Sequence, residues 1–485
     1  MKPKLTLFIF LSISFIAFSQ DNNQPQKWTL EECVDYALKH NLTVKQGEYD
    51  VEIAEINKKD AIGNYLPNLN LNGNHSWNSG LTTDVTTGVL RNQTTQTTSG
   101  GISSGVLIYG GLNNLNQLRK TEIAILSQRY QVDKIKDDIA INVVNAYLQV
   151  LFSKEAVKVA EPQLEISREQ LNRTNKLVEA GTLPKGDLLE IQATLANDEQ
   201  NLIVTQNNVK LALISLAQLL QLENYDSFDI AEEEIESLPL VNLGSYTVDD
   251  IYQKALKNRY EIKVAQSNIE LAEQDIKLAK GDLQPTLSGF FNWNTRASNL
   301  DRIIGSEIDP DQPTMIIGQV EDTGQNVLSP NYMAITGSAN DFMDQFDRNK
   351  GYSYGLSLRI PVLNGFKASN NVKRSKINLE KQKNRLEDEE LALEKIIHTV
   401  YADAEGALKV YDAAQKSVSA QEESFRYAQE KFNVGVMNSF EYSQIKNRLL
   451  KAQSDYLRAK YDYIFKVKLL EFYYGIPVSQ LKMNK

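Results

Sequence analysis

Two rhythms of apolar and polar positions alternate along this chain. In the longer one, apolar or small residues recur at Leu393, Ile397, Val400, Ala404, Ala407, Tyr411, Ala414 and Val418, then at Phe425, Ala428 and Phe432. The steps alternate four and three, the heptad period of helices packed side by side. Val143, Ala146, Val150, Ser153, Val157, Ala160, Leu164, Ser167, Leu171, Thr174 and Val178 keep the same register earlier in the chain. Glycine landmarks bracket both runs, Gly111 with Gly181 and Gly365 with Gly435, each pair 70 residues apart. A helix filling such a gap rises 1.5 Å per residue and reaches roughly 100 Å. Pro162 is a candidate kink in the first of them. Past the turns Gly181 to Gly186 and Gly435 to Ser439, apolar repeats predict return helices over 187–222 and 440–474.

The shorter rhythm has a period of two. Leu69, Leu71, Gly73, His75 and Trp77 alternate with Asn70, Asn72, Asn74, Ser76 and Asn78. Tyr352, Tyr354, Leu356, Leu358 and Ile360 alternate with Ser353, Gly355, Ser357 and Arg359. These are strands with one polar face. Weaker versions run over 102–109 and 287–294, the second with Phe291 and Trp293 at its aromatic end. Each has about the 9 to 11 residues of a tilted transmembrane strand, and Trp77, Phe291, Trp293, Tyr352 and Tyr354 sit where an interfacial girdle is expected. The connections over 79–99, rich in Thr, and over 295–350 are expected as polar loops facing outside. Ordinary soluble hairpins are the alternative on this pattern alone.

The chain is one unit used twice. The stretch from Trp28-Thr29-Leu30-Glu31-Glu32 to Ala37-Leu38-Lys39 returns 218 residues later, from Tyr246-Thr247-Val248-Asp249-Asp250 to Ala255-Leu256-Lys257. Gly63 answers Gly281 and Pro67 answers Pro285 at the same offset, whereas Gly111, Tyr147, Gly181 and Asp187 answer Gly365, Tyr401, Gly435 and Glu441 at an offset of 254. The 36 extra residues of the second copy must therefore lie between Leu287 and Gly365, and insertions map to loops. The expected organisation is a signal peptide over 1–19, a first repeat over 20–227, a linker over 228–245 and a second repeat over 246–485. The strand pairs are expected at about 67–109 and 285–362, the long helical hairpins at about 112–222 and 366–475.

The N-terminus supplies the compartment. Lys2 and Lys4, an apolar run from Leu5 to Phe18 and an Ala17-Phe18-Ser19 site read as a secretory signal, too short for a membrane helix. No later run of 18 apolar residues occurs, so a helical span is excluded. The single cysteine, Cys33, excludes a disulfide framework and reads as a small buried residue. The formal net charge is −10 and basic residues are interleaved with acids, which excludes a nucleic-acid footprint. No phosphate loop or nucleophile elbow is present, and His40, His75 and His398 share no ligand spacing. The chain is therefore expected to be no enzyme and to need no metal or cofactor.

Four strands cannot close a barrel in lipid, because open edges leave backbone groups unpaired in hydrocarbon. The wall must be shared between chains. Taken together, the signal peptide, the duplication, the strand pairs feeding long helices, and the turns Gly181 to Glu190 and Gly435 to Gln444 resemble the TolC-type outer-membrane efflux family over essentially the whole mature chain. The resemblance implies a mixed fold of long α-helical hairpins forming a periplasmic barrel plus a transmembrane β-barrel, four strands per chain in a homotrimer. It implies a passive channel in the outer membrane, docked to a periplasmic adaptor and an inner-membrane pump of the RND, ABC or MFS type. It also implies that Gly181, Thr182, Leu183, Pro184, Gly435, Val436, Met437 and Asn438 form adaptor-contact turns, and that Asp187, Glu190, Glu441 and Gln444 lie at the periplasmic aperture. Gln444 stands where an acid is expected, and Phe432 and Met437 replace basic tethers of some relatives. Asp187 and Glu441 equally suit helix N-termini through the dipole. An exported coiled-coil or adaptor protein without a channel is the competing reading.

Overall fold

The computed structural model describes residues 27–83, 90–225, 227–231 and 247–476. The expected signal peptide and most of the expected linker lie outside them. In chain order the elements are β1 (Lys27–Trp28), α1 (Leu30–His40), α2 (Leu42–Gly63), β2 (Asn68–Thr83), β3 (Leu90–Gly110), α3 (Asn113–Glu179), α4 (Lys185–Leu220) and β4 (Asp229–Ile230). There follow α5 (Val248–Asn258), α6 (Tyr260–Gly281), β5 (Thr286–Ser298), β6 (Arg302–Ile308), β7 (Thr314–Gln319), β8 (Asn326–Pro330), β9 (Tyr332–Gly337), α7 (Phe342–Arg348), β10 (Gly351–Arg359), α8 (Lys367–Asn433) and α9 (Ser439–Tyr474). The helices come in pairs of equal length: α1 and α5 have 11 residues, α2 and α6 have 22, α3 and α8 have 67, α4 and α9 have 36. No helix among the described residues is long and apolar enough to cross a membrane.

Local chemistry explains the repeated starts and stops. Thr29 and Glu32 form a capping box on α1, Thr29 N–H donating to Glu32 Oε2 at 2.8 Å and Glu32 N–H to Thr29 Oγ1 at 3.3 Å. Thr247 and Asp250 do the same for α5. Pro162 lies inside α3, which continues through it.

The chain forms two compact units, and neither coincides with a sequence repeat: one takes residues up to 49, 129–264 and from 387 onwards, the other 50–128 and 265–386. In the first unit the heptad residues are the core. Leu393, Ile397, Val400, Ala404, Ala407, Tyr411, Val418, Phe425, Ala428 and Phe432 of α8 are all buried, and Ala414 is half-buried. A cluster around Cys33, Val143, Tyr147, Val150, Leu216 and Ile230 joins α1, α3, α4 and β4, with Cys33 fully buried. Tyr147 donates its hydroxyl to Ala231 O at 2.9 Å, closing this core where β1 and β4 pair in parallel.

The second unit holds an antiparallel four-stranded sheet in the order β10-β5-β3-β2. Here two expectations fail. The Thr-rich stretch 79–99 is largely strand: β2 runs on to Thr83 and β3 starts at Leu90, with Ser79 opposite Thr94 and Ser76 opposite Thr97. Polar composition suggested a loop, but β-branched threonines suit a pleated surface. The stretch 295–350 is likewise no plain loop. It contains the end of β5, the antiparallel pairs β6 with β9 and β7 with β8, and the short helix α7. Its strands meet partners nearer or farther in sequence, such as Ile316 with Leu328 and Ile308 with Tyr332, so no single window shows them.

Candidate functional site

Two places carry the candidate residues, one in each unit. In the first unit α3 and α8 each end in a turn that reverses the chain. Gly181 and Gly435 adopt φ of +75° and +80°, the left-handed conformation that glycine takes without steric cost. Thr182 N–H reaches back to Leu177 O at 2.9 Å and Val436 N–H to Lys431 O at 2.9 Å, which satisfies the last carbonyls of each helix. The return helices start differently. Pro184 precedes α4 with no side-chain cap, whereas Asn438 caps α9, its Oδ1 accepting from Glu441 N–H at 2.8 Å. Asp187 lies in the first turn of α4 and Glu441 in that of α9, where the helix dipole favours a carboxylate. Asp187 and Glu190 are half-buried; Glu441 and Gln444 are exposed. Among the described residues none of these three acids forms an ion pair. Gly181, Thr182, Pro184, Gly435, Val436 and Asn438 are exposed, Leu183 and Met437 half-buried.

The two hairpins are joined just beyond their turns by side chains that periodicity did not single out. Arg173 of α3 donates from both terminal nitrogens to Asn433, the last residue of α8, to its side-chain oxygen and to its carbonyl. Thr194 of α4 and Ser443 of α9 share a hydroxyl bond of 3.1 Å. Tyr442 stacks on Phe432 at a centroid distance of 4.7 Å within an apolar cluster, and burial pushes its phenol up to about 12.

Deeper still lies a buried ion pair. Lys446 of α9, 1% exposed, donates from Nζ to Asp198 Oδ2 of α4 at 2.6 Å, to Gln163 O of α3 at 3.1 Å, and to Ser167 Oγ. Ser167 in turn donates to the same Asp198 oxygen at 2.6 Å. The three ammonium hydrogens are thus all used. Burial lowers the Lys446 pKa, and Asp198 opposes that shift. A signal existed: Asp198 stands seven residues after buried Ile191, and Lys446 lies between buried Tyr442 and Leu449, so both polar residues occupy an apolar seam.

In the second unit the sheet has two chemically distinct faces. Across one run Tyr352, Trp293, Ile102 and Leu71, then Tyr354, Phe291, Ser104 and Leu69, as successive cross-strand rows. Across the other run Asn68, Asn70 and Asn72 opposite Gly105, Ser103 and Gly101, with Ser353 and Ser357 farther along. Leu71 is 82% exposed and Tyr354 75%, a burial pattern unsuited to water but suited to hydrocarbon. All five sequence-predicted aromatics fall on this apolar face. From Tyr352 to Ile360 it extends about 27 Å along the strand, the height of an outer-membrane apolar band before tilt. Both outer strands, β2 and β10, leave one edge unpaired within the described residues.

Comparison with known proteins agrees with this geometry. The chain is 21% identical to the protein CyaE of Bordetella pertussis over 89% of its own length and 79% of that protein's. It is 19% identical to the outer membrane efflux protein BepC of Brucella suis, over 90% and 83%. Among solved structures, the CmeC outer membrane channel of Campylobacter jejuni superposes with a TM-score of 0.69 at 15% identity, covering 92% of this chain and 85% of that one. VceC, an outer membrane protein of Vibrio cholerae, gives 0.69 at 12% identity, covering 92% and 96%. The fold is that of the TolC-like outer-membrane channels. The match to the family profile covers residues 33–221 and 251–475, nearly all of both repeats, and the chain therefore belongs to the outer membrane efflux protein family, whose members are outer-membrane channels.

Proposed function

We propose that three copies of this chain pair β10 of one with β2 of the next, closing a twelve-stranded barrel in the outer membrane. The observation that carries this reading is the four-stranded sheet with one apolar face, one polar face and two unpaired edges. Unpaired strand edges in hydrocarbon cost several kcal/mol per group, and closure removes them. The polar Asn, Ser and Gly face then lines an aqueous lumen. The hairpin turns Gly181 to Pro184 and Gly435 to Asn438 meet a periplasmic adaptor, and an inner-membrane pump of the RND, ABC or MFS type drives flux through the passive duct. Asp187, Glu190, Glu441 and Gln444 ring the periplasmic aperture, where threefold repetition of carboxylates concentrates negative potential and favours cations.

Cysteine pairs placed along residues 68–72 of β2 and 354–358 of β10, in a Cys33→Ala background, test the assembly. Oxidation should give covalent trimers and nothing larger. Monomers, or ladders beyond three, would overturn it. For the aperture, Glu441→Gln should lower cation preference or raise conductance in planar bilayers; unchanged currents would remove Glu441 from it.

A further inference from the structure

α7 lies in the connection that carries the 36 extra residues of the second repeat, and it rests against the face of the sheet that carries the apolar rows. Phe346 rests over Gly100, where an added Cβ would meet its ring at 3.6 Å. Gly100 pairs with Gly73 and Thr295, one row beyond Leu71, Ile102 and Trp293 on the same face. The missing side chain of Gly100 leaves the recess that the ring fills. Four hydrogen bonds fasten the helix to β5: Ser298 N–H to Gln345 Oε1 at 2.9 Å, Gln345 Nε2 to Ser298 O at 2.8 Å, Asn349 Nδ2 to Arg296 O at 2.8 Å, and Thr295 Oγ1 to Phe346 O at 2.6 Å. Thr295 and Ala297 beneath it are buried.

The helix is amphipathic at helical spacing. Phe342 and Phe346 stack at 4.7 Å on one side, next to Met343. Asp344 and Arg348 pair at 3.3 Å on the other. Yet Phe342 stays 46% exposed and Met343 70% exposed. The level of the helix is set by its bonds to Thr295, Arg296 and Ser298, just past the Tyr352 and Trp293 row and near the level of Trp77 on β2, where the apolar band ends and interfacial aromatics gather.

We propose that α7 is an interfacial anchor, a short helix held on the outer wall of the barrel with Phe342 and Met343 inserted at the headgroup boundary of the outer leaflet. Its charges are paired, Asp344 with Arg348 and Asp347 with Lys350 just past its end, so the contact is apolar and does not depend on lipid phosphate. The first repeat has a connection 36 residues shorter, and among the described residues such a helix reinforces the girdle once per protomer, over β5. This inference rests on the reading that the apolar face of the sheet meets lipid, and the experiment separates the two. In a Cys33→Ala background, Met343→Cys, Leu356→Cys on the apolar face of β10, and Val327→Cys on β8 each take a nitroxide label. The purified full-length assembly is reconstituted into phosphatidylethanolamine and phosphatidylglycerol vesicles. Collisional relaxation by oxygen, which partitions into lipid, is compared with that by a neutral nickel chelate, which stays in water. The label at 356 should favour oxygen strongly and that at 327 the chelate. The label at 343 should favour oxygen over the 327 reference while falling short of 356. Chelate preference at 343 equal to that at 327, with 356 still in lipid, overturns the anchor alone. So does a label at 343 shielded from both reagents, which would mean a protein cover. Chelate preference at 356 would overturn the lipid-facing sheet and the anchor with it.

Discussion

Removing the Asp198 carboxylate should expose the cost of the buried ammonium at Lys446. In Asp198→Ala the charge keeps only Ser167 Oγ and Gln163 O as acceptors, with 1% of its surface in contact with solvent. Breaking one partner of a buried pair costs about 3 to 5 kcal/mol. Deprotonation sets a ceiling, because a lysine of ordinary pKa near 10.4 can be neutralised at pH 7 for about 1.36 kcal/mol per unit, or roughly 4.6 kcal/mol. The sign with pH follows from linkage. Burial lowers the Lys446 pKa, so the unfolded chain binds more protons than the folded one between the folded value and about 10.4, and stability rises with pH across that window. The window widens downward when Asp198 is removed, and at pH 9 the ceiling falls to about 2 kcal/mol. Hydrogen exchange of peptides from α4 and α9 reads the local opening. Amides around 191–202 and 442–450 should exchange roughly 10²- to 10³-fold faster in Asp198→Ala at pH 7, and the excess should shrink as pH rises. The double variant Asp198→Leu with Lys446→Met should recover most of the protection, since apolar replacements of a buried pair are often neutral or better. Unchanged exchange in the single variant, or a defect that grows with pH, would refute the reasoning.

Three further substitutions test a close backbone approach and a buried carboxyl group. An added Cβ at Gly111, φ +63°, would lie 2.4 Å from Gly281 O, whereas at Gly365, φ +58°, it would meet nothing within 4 Å. Gly365→Ala should cost only the left-handed strain of about 1 to 2 kcal/mol, while Gly111→Ala adds a forced backbone shift for a total of at least about 3 kcal/mol, measured as the difference in denaturation midpoint and yield of folded protein. Equal effects would show the close approach to be unimportant. Burial pushes Asp137 up to about 6 despite Arg259 at 3.1 Å, so its contribution is complete below about pH 3.9 and is lost as pH rises through 6. Asp137→Asn should remove a loss on the order of 1 to 2 kcal/mol between pH 4 and 7, the shift being discounted for screening at a partly exposed carboxylate, read by exchange of the 130–145 peptides; an unchanged pH profile would count against the shift.

The sequence by itself determined what is periodic or local. The heptads of α8, the alternating strand at Tyr352 to Ile360, the capping boxes at Thr29 and Thr247 and the left-handed glycines at 181 and 435 each lie within a short window, and duplication displayed them twice. The apolar aromatics could be assigned to one face because a strand has only two. Tertiary structure decided what depends on residues far apart in the chain. Asp198 and Lys446 are 248 residues apart; each position in an apolar seam could be read along its own helix, but that they meet was decided by the packing of three helices. The strands hidden in 79–99 and 295–350 became strands because partners satisfied their backbone, which composition does not register. The fit of α7 depends on Gly100, whose missing side chain matters only once a ring lies over it. Local pattern fixes which surface each element offers; the surface it meets is set by the pairing of distant segments, and there the buried charge and the seated helix arise.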